Sequence, residues 1–264
     1  MDTGLAERVA LVTGGAGGIG TAVCRALAAE GARVVVHHHT RGEQAARLVG
    51  ELPGGAGRHL SAGADLTDER AVAGLFAEIE GRFGRCDVLV ANAGHWPAQD
   101  LPVADLDLAR WNATLAANLT ASFLSCREML RLVRRTGGPE DASIVLIGST
   151  AGLFGEAGHA DYAAAKAALH DGFARSLKNE MTAIAPRGRV NTVRPGWTVT
   201  DKNRHRLDDP AVVRRVEATR PLRGVARPED IAAAVVFLAS SKLSGHMTGE
   251  AVTVAGGMEG RLLR

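Results

Sequence analysis

Short apolar, β-branched runs alternate with longer stretches of helical periodicity along this chain of 264 residues. The pattern predicts strands at Arg8–Thr13, Arg33–His37, Arg58–Ala62, Asp87–Ala91, Ser143–Ser149, Gly188–Arg194 and Glu250–Val254. Helical spacing fills the intervals, at Gly18–Glu30, Asp68–Phe83, Ala109–Arg135, Ala160–Ile184 and Pro228–Ser240. Several strands are apolar at consecutive positions, as in Val34-Val35-Val36 and Ile144-Val145-Leu146-Ile147. Strands buried on both faces read this way, so the sheet is expected to be mostly parallel with helices on each side. Strict alternation over the whole length predicts one α/β domain, residues 1–264, with a doubly wound seven-stranded sheet. Two segments break the alternation. Leu52–Gly57 is a Pro/Gly turn, and 197–228 is long, polar and without strand character. Ligands of such sheets bind beyond the C-terminal strand ends. The second segment, following the sixth strand, is therefore expected to be a mobile substrate lid.

Composition narrows the classes. The 46% hydrophobic fraction supplies a sizeable core, and 31 basic against 29 acidic residues leave a formal charge of only +2. That balance gives no field for nucleic acid or an anionic membrane. No apolar run approaches the ~18–20 residues needed to span a bilayer, and the first residues lack a basic, apolar leader pattern. Cys24, Cys86 and Cys126 are odd in number and widely spaced, as in a reduced cytoplasmic protein.

Thr13-Gly14-Gly15-Ala16-Gly17-Gly18-Ile19-Gly20 follows the first strand and opens a helix. Glycines there let the backbone turn sharply and approach a pyrophosphate, while the helix N-terminus offers amide donors and a positive dipole end. Gly14, Gly17, Gly18, Ile19 and Gly20 are thus candidate contacts of a dinucleotide in a Rossmann fold. The Thr-Gly-x-x-x-Gly-x-Gly spacing resembles the short-chain dehydrogenase/reductase family, in its ordinary single-domain branch, and the resemblance extends over essentially the whole chain.

The end of the second strand selects the nicotinamide cofactor. An acid there favours NAD(H), and basic residues accommodate the 2′-phosphate of NADP(H). The chain reads His37-His38-His39-Thr40-Arg41, with no acid until Glu43. The family's NAD-selecting acid would fall near His38, so His38, His39, Thr40 and Arg41 favour NADP(H) over NAD(H). Gly17 argues the other way, since many NADP-preferring relatives carry a basic residue there. The three histidines alternate across a strand and do not converge easily on a metal; they read as solvated polar residues at a strand end. The resemblance implies an adenine contact for Asp65-Leu66, although Asp65 also suits a helix N-terminus. It implies a role for Asn92-Ala93-Gly94 in lining the cofactor cleft.

Tyr162-Ala-Ala-Ala-Lys166 places a phenol and an ammonium on one helix face. A free phenol has a pKa near about 10, and a cation at ~4 Å is worth about three pKa units at an effective dielectric of ~20. Lys166 is therefore expected to bring Tyr162 into range as a general acid/base. The chain has a single tyrosine, so no other phenol can substitute. Ser149, at the end of the preceding strand, and Asn118, in the long helix before it, complete a pattern similar to the family's Asn–Ser–Tyr–Lys tetrad. The resemblance implies that Tyr162 protonates a carbonyl oxygen during hydride transfer and that Ser149 orients that oxygen. Lys166 would bond the nicotinamide ribose, and Asn118 would hold a water leading from Lys166 to solvent. Pro195-Gly196-Trp197-Thr198-Val199-Thr200 is similar to the family's turn around the nicotinamide amide, so Pro195, Gly196, Thr198 and Thr200 join the cofactor set.

The substrate side is open. Family analogy places His95, Trp96, Leu153, Phe154, His159 and Trp197 around the pocket, where packing roles serve equally well. Lys202, Arg204, His205 and Arg206 in the lid, and Arg131, Arg134 and Arg135 on the long helix, suit either solvated surfaces or an anionic substrate carried on acyl carrier protein. The chain is similar to 3-oxoacyl-carrier-protein reductases and also to sugar, steroid and secondary-alcohol dehydrogenases. Ala255 stands where many relatives have Asp. A homotetramer is implied by analogy. A non-catalytic nicotinamide-binding sensor and a lyase or isomerase using the cofactor transiently are the competing readings.

Overall fold

The computed structural model describes residues 1–201 and 203–260, with Arg206 and Leu207 described by backbone only. Among these residues lie β1 (Val9–Val12), β2 (Arg33–His38), β3 (Leu60–Gly63), β4 (Val88–Ala91), β5 (Ser143–Ile147), β6 (Arg189–Pro195) and β7 (Ala251–Val254). They form one parallel sheet in the order β3-β2-β1-β4-β5-β6-β7. The chain winds outward from β1 in one direction to β3, then returns and winds the other way. The strand order therefore reverses between β1 and β4, where Val12 is level with Val36 on one side and Val90 on the other. Ligand crevices of doubly wound sheets open at this reversal.

The longer helices are α1 (Gly18–Ala29), α2 (Gly42–Glu51), α3 (Glu69–Phe83), α4 over 108–136, α5 over 160–184, α6 (Pro210–Glu217) and α7 (Pro228–Ala239). Alternate strand residues feed two cores. Leu89, Ile144 and Leu146 pack with Phe76, Ile79, Met129, Leu132 and Met181 from α3, α4 and α5. Val36, Val145 and Ile147 pack with Leu27, Leu48, Ile231 and Val235 from α1, α2 and α7. This is the two-sided burial that the consecutive apolar runs require. No helix among the described residues is long and apolar enough to cross a membrane.

Three expectations need correction. The third strand starts at Leu60, because Gly54 and Gly55, at φ 93° and 51°, coil Gly55–Arg58 into a helical turn. The 197–228 segment adds no strand to the sheet, as expected, but among its described residues it holds helical structure. It contains a short helical turn, Arg204–Asp208, and α6, whose start is capped by Asp209 on the Ala211 amide with Pro210 in the first turn. Its two ends are joined, the Val199 amide donating to Ala226 O at 2.8 Å. Finally, α4 and α5 each contain a widened π segment, Ala116–Thr120 and Leu169–Ala174. Such insertions shift the helix face that follows and recur at functional sites; periodicity in the sequence does not reveal them.

Candidate active site

The glycine turn leaves β1 at the strand reversal. Gly14 has φ 63°, and a Cβ on Gly20 would stand 2.2 Å from Gly14 O, so the turn and α1 touch where only glycine fits. No side chain caps the start of α1. Its first amides thus face the crevice with the positive end of the helix dipole behind them, a cradle suited to a diphosphate. Across the reversal, Asn92 Nδ2 donates to Thr13 O at 2.9 Å and Gly14 O at 3.3 Å. Thr13 Oγ1 accepts from the Asn92 and Ala93 amides, both at 2.9 Å. Asn92 and Ala93 therefore fix the turn to the end of β4. From the far side, Thr200 lies against Gly18, whose added Cβ would meet Thr200 Cγ2 at 2.5 Å. Asn203 Oδ1 holds Thr200 through its amide, 2.7 Å, and hydroxyl, 3.2 Å. Thr198 spends its hydroxyl on Gly196 O at 3.0 Å.

The histidine run is not uniformly solvated. His37 is buried, accepts from the Gly14 amide at Nδ1, 3.0 Å, and pairs through Nε2 with Ala64 O, 3.0 Å. Burial drives its pKa down to about 4. It is a neutral strut between the glycine turn and the end of β3, which the sequence reading missed. His38 is half-buried, its ring filling the space over Gly63, where a Cβ would come within 2.9 Å. His39, Thr40 and Arg41 are exposed, and Arg41 Nη1 reaches back to Ala16 O at 3.5 Å, the outer limit of a hydrogen bond. Asp65 closes a local turn by accepting from the Thr67 amide and hydroxyl at 2.9 and 2.7 Å, and these bonds hold its pKa below the usual range. Asp68, not Asp65, caps α3. Leu66 packs into the core, which leaves only its backbone for a ligand.

Tyr162, Ser149, Lys166 and Asn118 meet beyond the ends of β4 and β5. Ser149 lies close enough to the Tyr162 phenol to oppose its upward shift. Lys166 is buried, donates from Nζ to Ile147 O at 2.8 Å and lies 5.6 Å from the Tyr162 ring centroid. Asn118, in the first π segment, is fully buried; its Nδ2 donates to His95 O and Thr114 O at 2.9 and 3.0 Å, and its Oδ1 accepts from the His95 amide at 3.1 Å. Its side chain is thus committed to backbone, so its direct task is to clamp the loop after β4 onto α4. Two glycines permit the convergence. A Cβ on Gly94 would stand 2.6 Å from Asn118 Oδ1 and 3.3 Å from Lys166 Nζ, and one on Gly152 would stand 2.6 Å from the Ala167 amide nitrogen.

The electrostatics run against one expectation. Within the protein's own field, burial outweighs the expected pull of Lys166 on the phenol. Desolvation pushes Tyr162 up to about 12, Ser149 opposing it, and desolvation alone brings Lys166 down to about 8. The reason is geometric: Nζ is turned to Ile147 O and sits over the ring, while both groups are buried.

A supporting layer was also illegible in the sequence. Asp161 is fully buried beside Tyr162 and accepts from the Tyr162 amide at 2.9 Å, Thr114 Oγ1 at 2.8 Å and Arg110 Nε at 3.2 Å. Burial alone would raise its pKa; these bonds outweigh burial and keep it low. Trp96 packs edge-on to Tyr162, centroids 4.8 Å apart, and against His159 at 3.9 Å. His159 Nε2 in turn pairs with Asp100 Oδ1 at 2.9 Å. Of the remaining substrate-side candidates, Leu153 and Phe154 are exposed, and His95 and Trp197 lie along the same edge. Lys202 and the Arg206 side chain lie outside the described residues.

Residues 14–259 match a family described as enoyl-(acyl carrier protein) reductase. That match spans the glycine turn, the Tyr–Lys helix and the last strand. The chain belongs to the short-chain dehydrogenase/reductase family. Within it, the chain is 38% identical to a cis-4-hydroxycyclohexanecarboxylate dehydrogenase of Sinomonas cyclohexanicum, over 97% of this chain and 98% of that one. It is 36% identical to a 3-oxoacyl-[acyl-carrier-protein] reductase of Salmonella typhimurium, over 95% and 97%. A crystal structure of a candidate gluconate dehydrogenase from Agrobacterium tumefaciens superposes with a TM-score of 0.88 at 29% identity, covering 98% of each chain. This short-chain dehydrogenase/reductase is thus an oxidoreductase of a nicotinamide-dependent family. Its uncapped α1 start and glycine-only contact at Gly20 fit the diphosphate of such a cofactor.

Proposed function

We propose that this enzyme interconverts a carbonyl compound and a secondary alcohol with NADP(H), using Tyr162 as general acid/base. The observation that carries the reading is Tyr162 set over Lys166, whose buried Nζ lies 5.6 Å from the ring, with Ser149 close enough to the phenol to oppose its upward shift. A bound nicotinamide supplies or accepts the hydride. With its phenol held up to about 12, Tyr162 keeps its proton at neutral pH and is ready to donate it to the carbonyl oxygen. Ser149 donates to the same oxygen and fixes its direction. Lys166, poised at about 8, sits where it can bond a ribose hydroxyl and restore the phenolic proton. Asn118 acts by position, holding the Gly94–His95 backbone that walls the pocket. Oxidation needs the phenolate, so alcohol oxidation is expected to rise with pH while reduction does not.

Thr40 and Arg41, exposed at the end of β2 with Arg41 turned toward the glycine turn, support the 2′-phosphate and hence NADP(H) over NAD(H). His38 and His39 flank that position, and Asp65 and Leu66 form the floor on the β3 side. The 197–228 segment, joined at its ends, is proposed as the substrate lid of the single domain. The substrate is a small carbonyl or hydroxyl compound. Delivery on acyl carrier protein would use the basic face of α4, where Arg131 pairs with Glu128 at 2.7 Å and Arg135 with Glu80 at 2.5 Å, while Arg134 is exposed. A cytoplasmic homotetramer completes the proposal. The test is Tyr162→Phe assayed with NADPH and NADH against a panel of ketones, including 4-oxocyclohexanecarboxylate. Near-normal turnover with retained cofactor binding would sink the mechanism.

A further inference from the structure

Arg220, in the connection between α6 and α7, is 3% exposed, and its Nε and Nη2 have no hydrogen-bond partner among the described residues. These two nitrogens form one straight edge of the guanidinium, the edge that grips a carboxylate through two parallel bonds. Two other arginines contrast with it, each leaving one nitrogen rather than an edge without a hydrogen bond: Nε in the buried Arg189, and in the half-buried Arg127 Nη2, which is still in ion-pair range of an acid. Arg189 gives Nη1 to Leu238 O and Ser244 Oγ, at 2.6 and 2.8 Å, and Nη2 to Ala239 O at 3.0 Å. Arg127 pairs with Glu69 at 2.7 Å. The acid nearest in sequence, Glu217, acts on Arg220 through its charge but makes no ion pair with it, committing Oε1 to the Gly224 amide at 3.0 Å. A guanidinium buried with a whole edge unmatched is unfavourable by itself and calls for a partner that the described residues do not supply.

Its place in the fold says which ligand. Arg220 Cδ lies 3.3 Å from the Cβ position of Gly256, just past β7, and Leu222 donates to Gly256 O at 3.1 Å. The adjacent Ala255 touches Gly196 at the end of β6, its Cβ 2.7 Å from the Gly196 Cβ position. From there residues 255–260 run past Thr219, which accepts from the Glu259 amide at 3.3 Å, to Phe154, whose Cδ1 is 2.6 Å from the Gly260 Cβ position. Phe154 ends the turn that begins at Ala151, the residue whose amide donates to Ser149 Oγ at 3.1 Å. A run of contacts through residues 255–260 and Phe154 thus links Arg220 to the turn that follows Ser149.

We propose that Arg220 anchors a carboxylate of the substrate, so that the enzyme acts on hydroxy or oxo acids rather than on neutral alcohols and ketones. This rests on the oxidoreductase reading above. The test uses the full chain with NADP(H) or NAD(H) and matched probes, 4-hydroxycyclohexanecarboxylate against 4-methylcyclohexanol and gluconate against sorbitol. Wild type is expected to favour the acid member by about ten-fold or more in kcat/KM. Arg220→Met is expected to erase that ratio, and Arg220→Lys to keep part of it, since a point charge replaces the two-pronged edge. An unchanged ratio in Arg220→Met overturns the proposal. Melting temperature separates this from misfolding: the Met variant is expected to melt no lower than wild type, because an unmatched buried charge is removed. Cyclohexanecarboxylate alone is expected to raise the melting temperature of wild type and not of Arg220→Met. If it does so while the substrate ratio ignores the mutation, Arg220 binds a free anion only and the substrate assignment falls. If no probe is turned over with either cofactor, the oxidoreductase reading fails on these substrates, whereas the cyclohexanecarboxylate shift still decides Arg220.

Discussion

The two flanks of the cleft are built to different tolerances. Beside β4 and β5, polar groups around Tyr162 are tied to partners from distant parts of the chain: Asp161 to Thr114 and Arg110, Asn118 to His95, Lys166 to Ile147. Beside β2, His39, Thr40 and Arg41 stand in solvent, and Arg41 makes a single 3.5 Å contact with the glycine turn. Chemistry needs fixed geometry, and buried polar networks provide it because leaving any member unsatisfied is costly. Selection between two cofactors differing by a phosphate needs only charge at the right place, which an exposed arginine supplies without a rigid frame. Substitutions on the first flank should therefore harm turnover or folding, while those on the second should shift preference.

Four measurements probe that contrast, in order of expected effect. Tyr162→Phe should lower kcat by about 10³–10⁴-fold, the usual worth of a positioned acid/base, while the NADPH-induced rise in melting temperature persists; loss of both would make the tyrosine a structural residue. Asp161→Ala removes a buried carboxylate with three partners. It should cost about 3–5 kcal/mol in urea unfolding, as breaking buried pairs does, and a loss below about 1 kcal/mol would mean the network is not rigid.

His37 gives a pH-dependent version. Its folded pKa of about 4 lies below the ordinary 6.5, so between those values the unfolded chain binds the extra proton. Stability from this group is present above pH 6.5 and lost as pH falls toward 4. The decline should amount to at most about 2–3 kcal/mol, and a His37→Gln variant should show a shallower one over the same range in thermal melts. The smallest effect belongs to the solvent-exposed flank. Arg41→Glu should raise the NADPH Michaelis constant by about ten-fold, or about 1.4 kcal/mol, and leave NADH and melting temperature nearly unchanged. A fall in stability there would erase the distinction between the flanks.

Much of the molecule was legible before folding was considered. The order of strands and helices, the glycine turn and the Tyr–Lys pair all rest on local spacing, and local spacing is written directly into neighbouring residues. Element ends shifted where glycines bend the chain, as at Gly54-Gly55. The α6 helix begins at an ordinary start signal, Asp209-Pro210, but its segment is too polar for apolar periodicity to mark it. In the protein by itself, burial outweighs the expected pull of Lys166 on Tyr162. Proximity along a helix says nothing of burial, and burial moved both groups the other way.

By itself, then, the amino-acid sequence determined a doubly wound sheet with a dinucleotide turn and a phenol–ammonium pair on one helix face. Only the tertiary structure decided which histidine is buried, which carboxylate supports Tyr162, and which arginine is left with an unmatched edge. The physical reason is separation along the chain. Asp161 and Thr114 are 47 positions apart, and Asn118 and His95 are 23 apart. Whether a polar group is satisfied depends on what the fold brings to it, and no periodicity in the neighbourhood of Asp161, His37 or Arg220 records that.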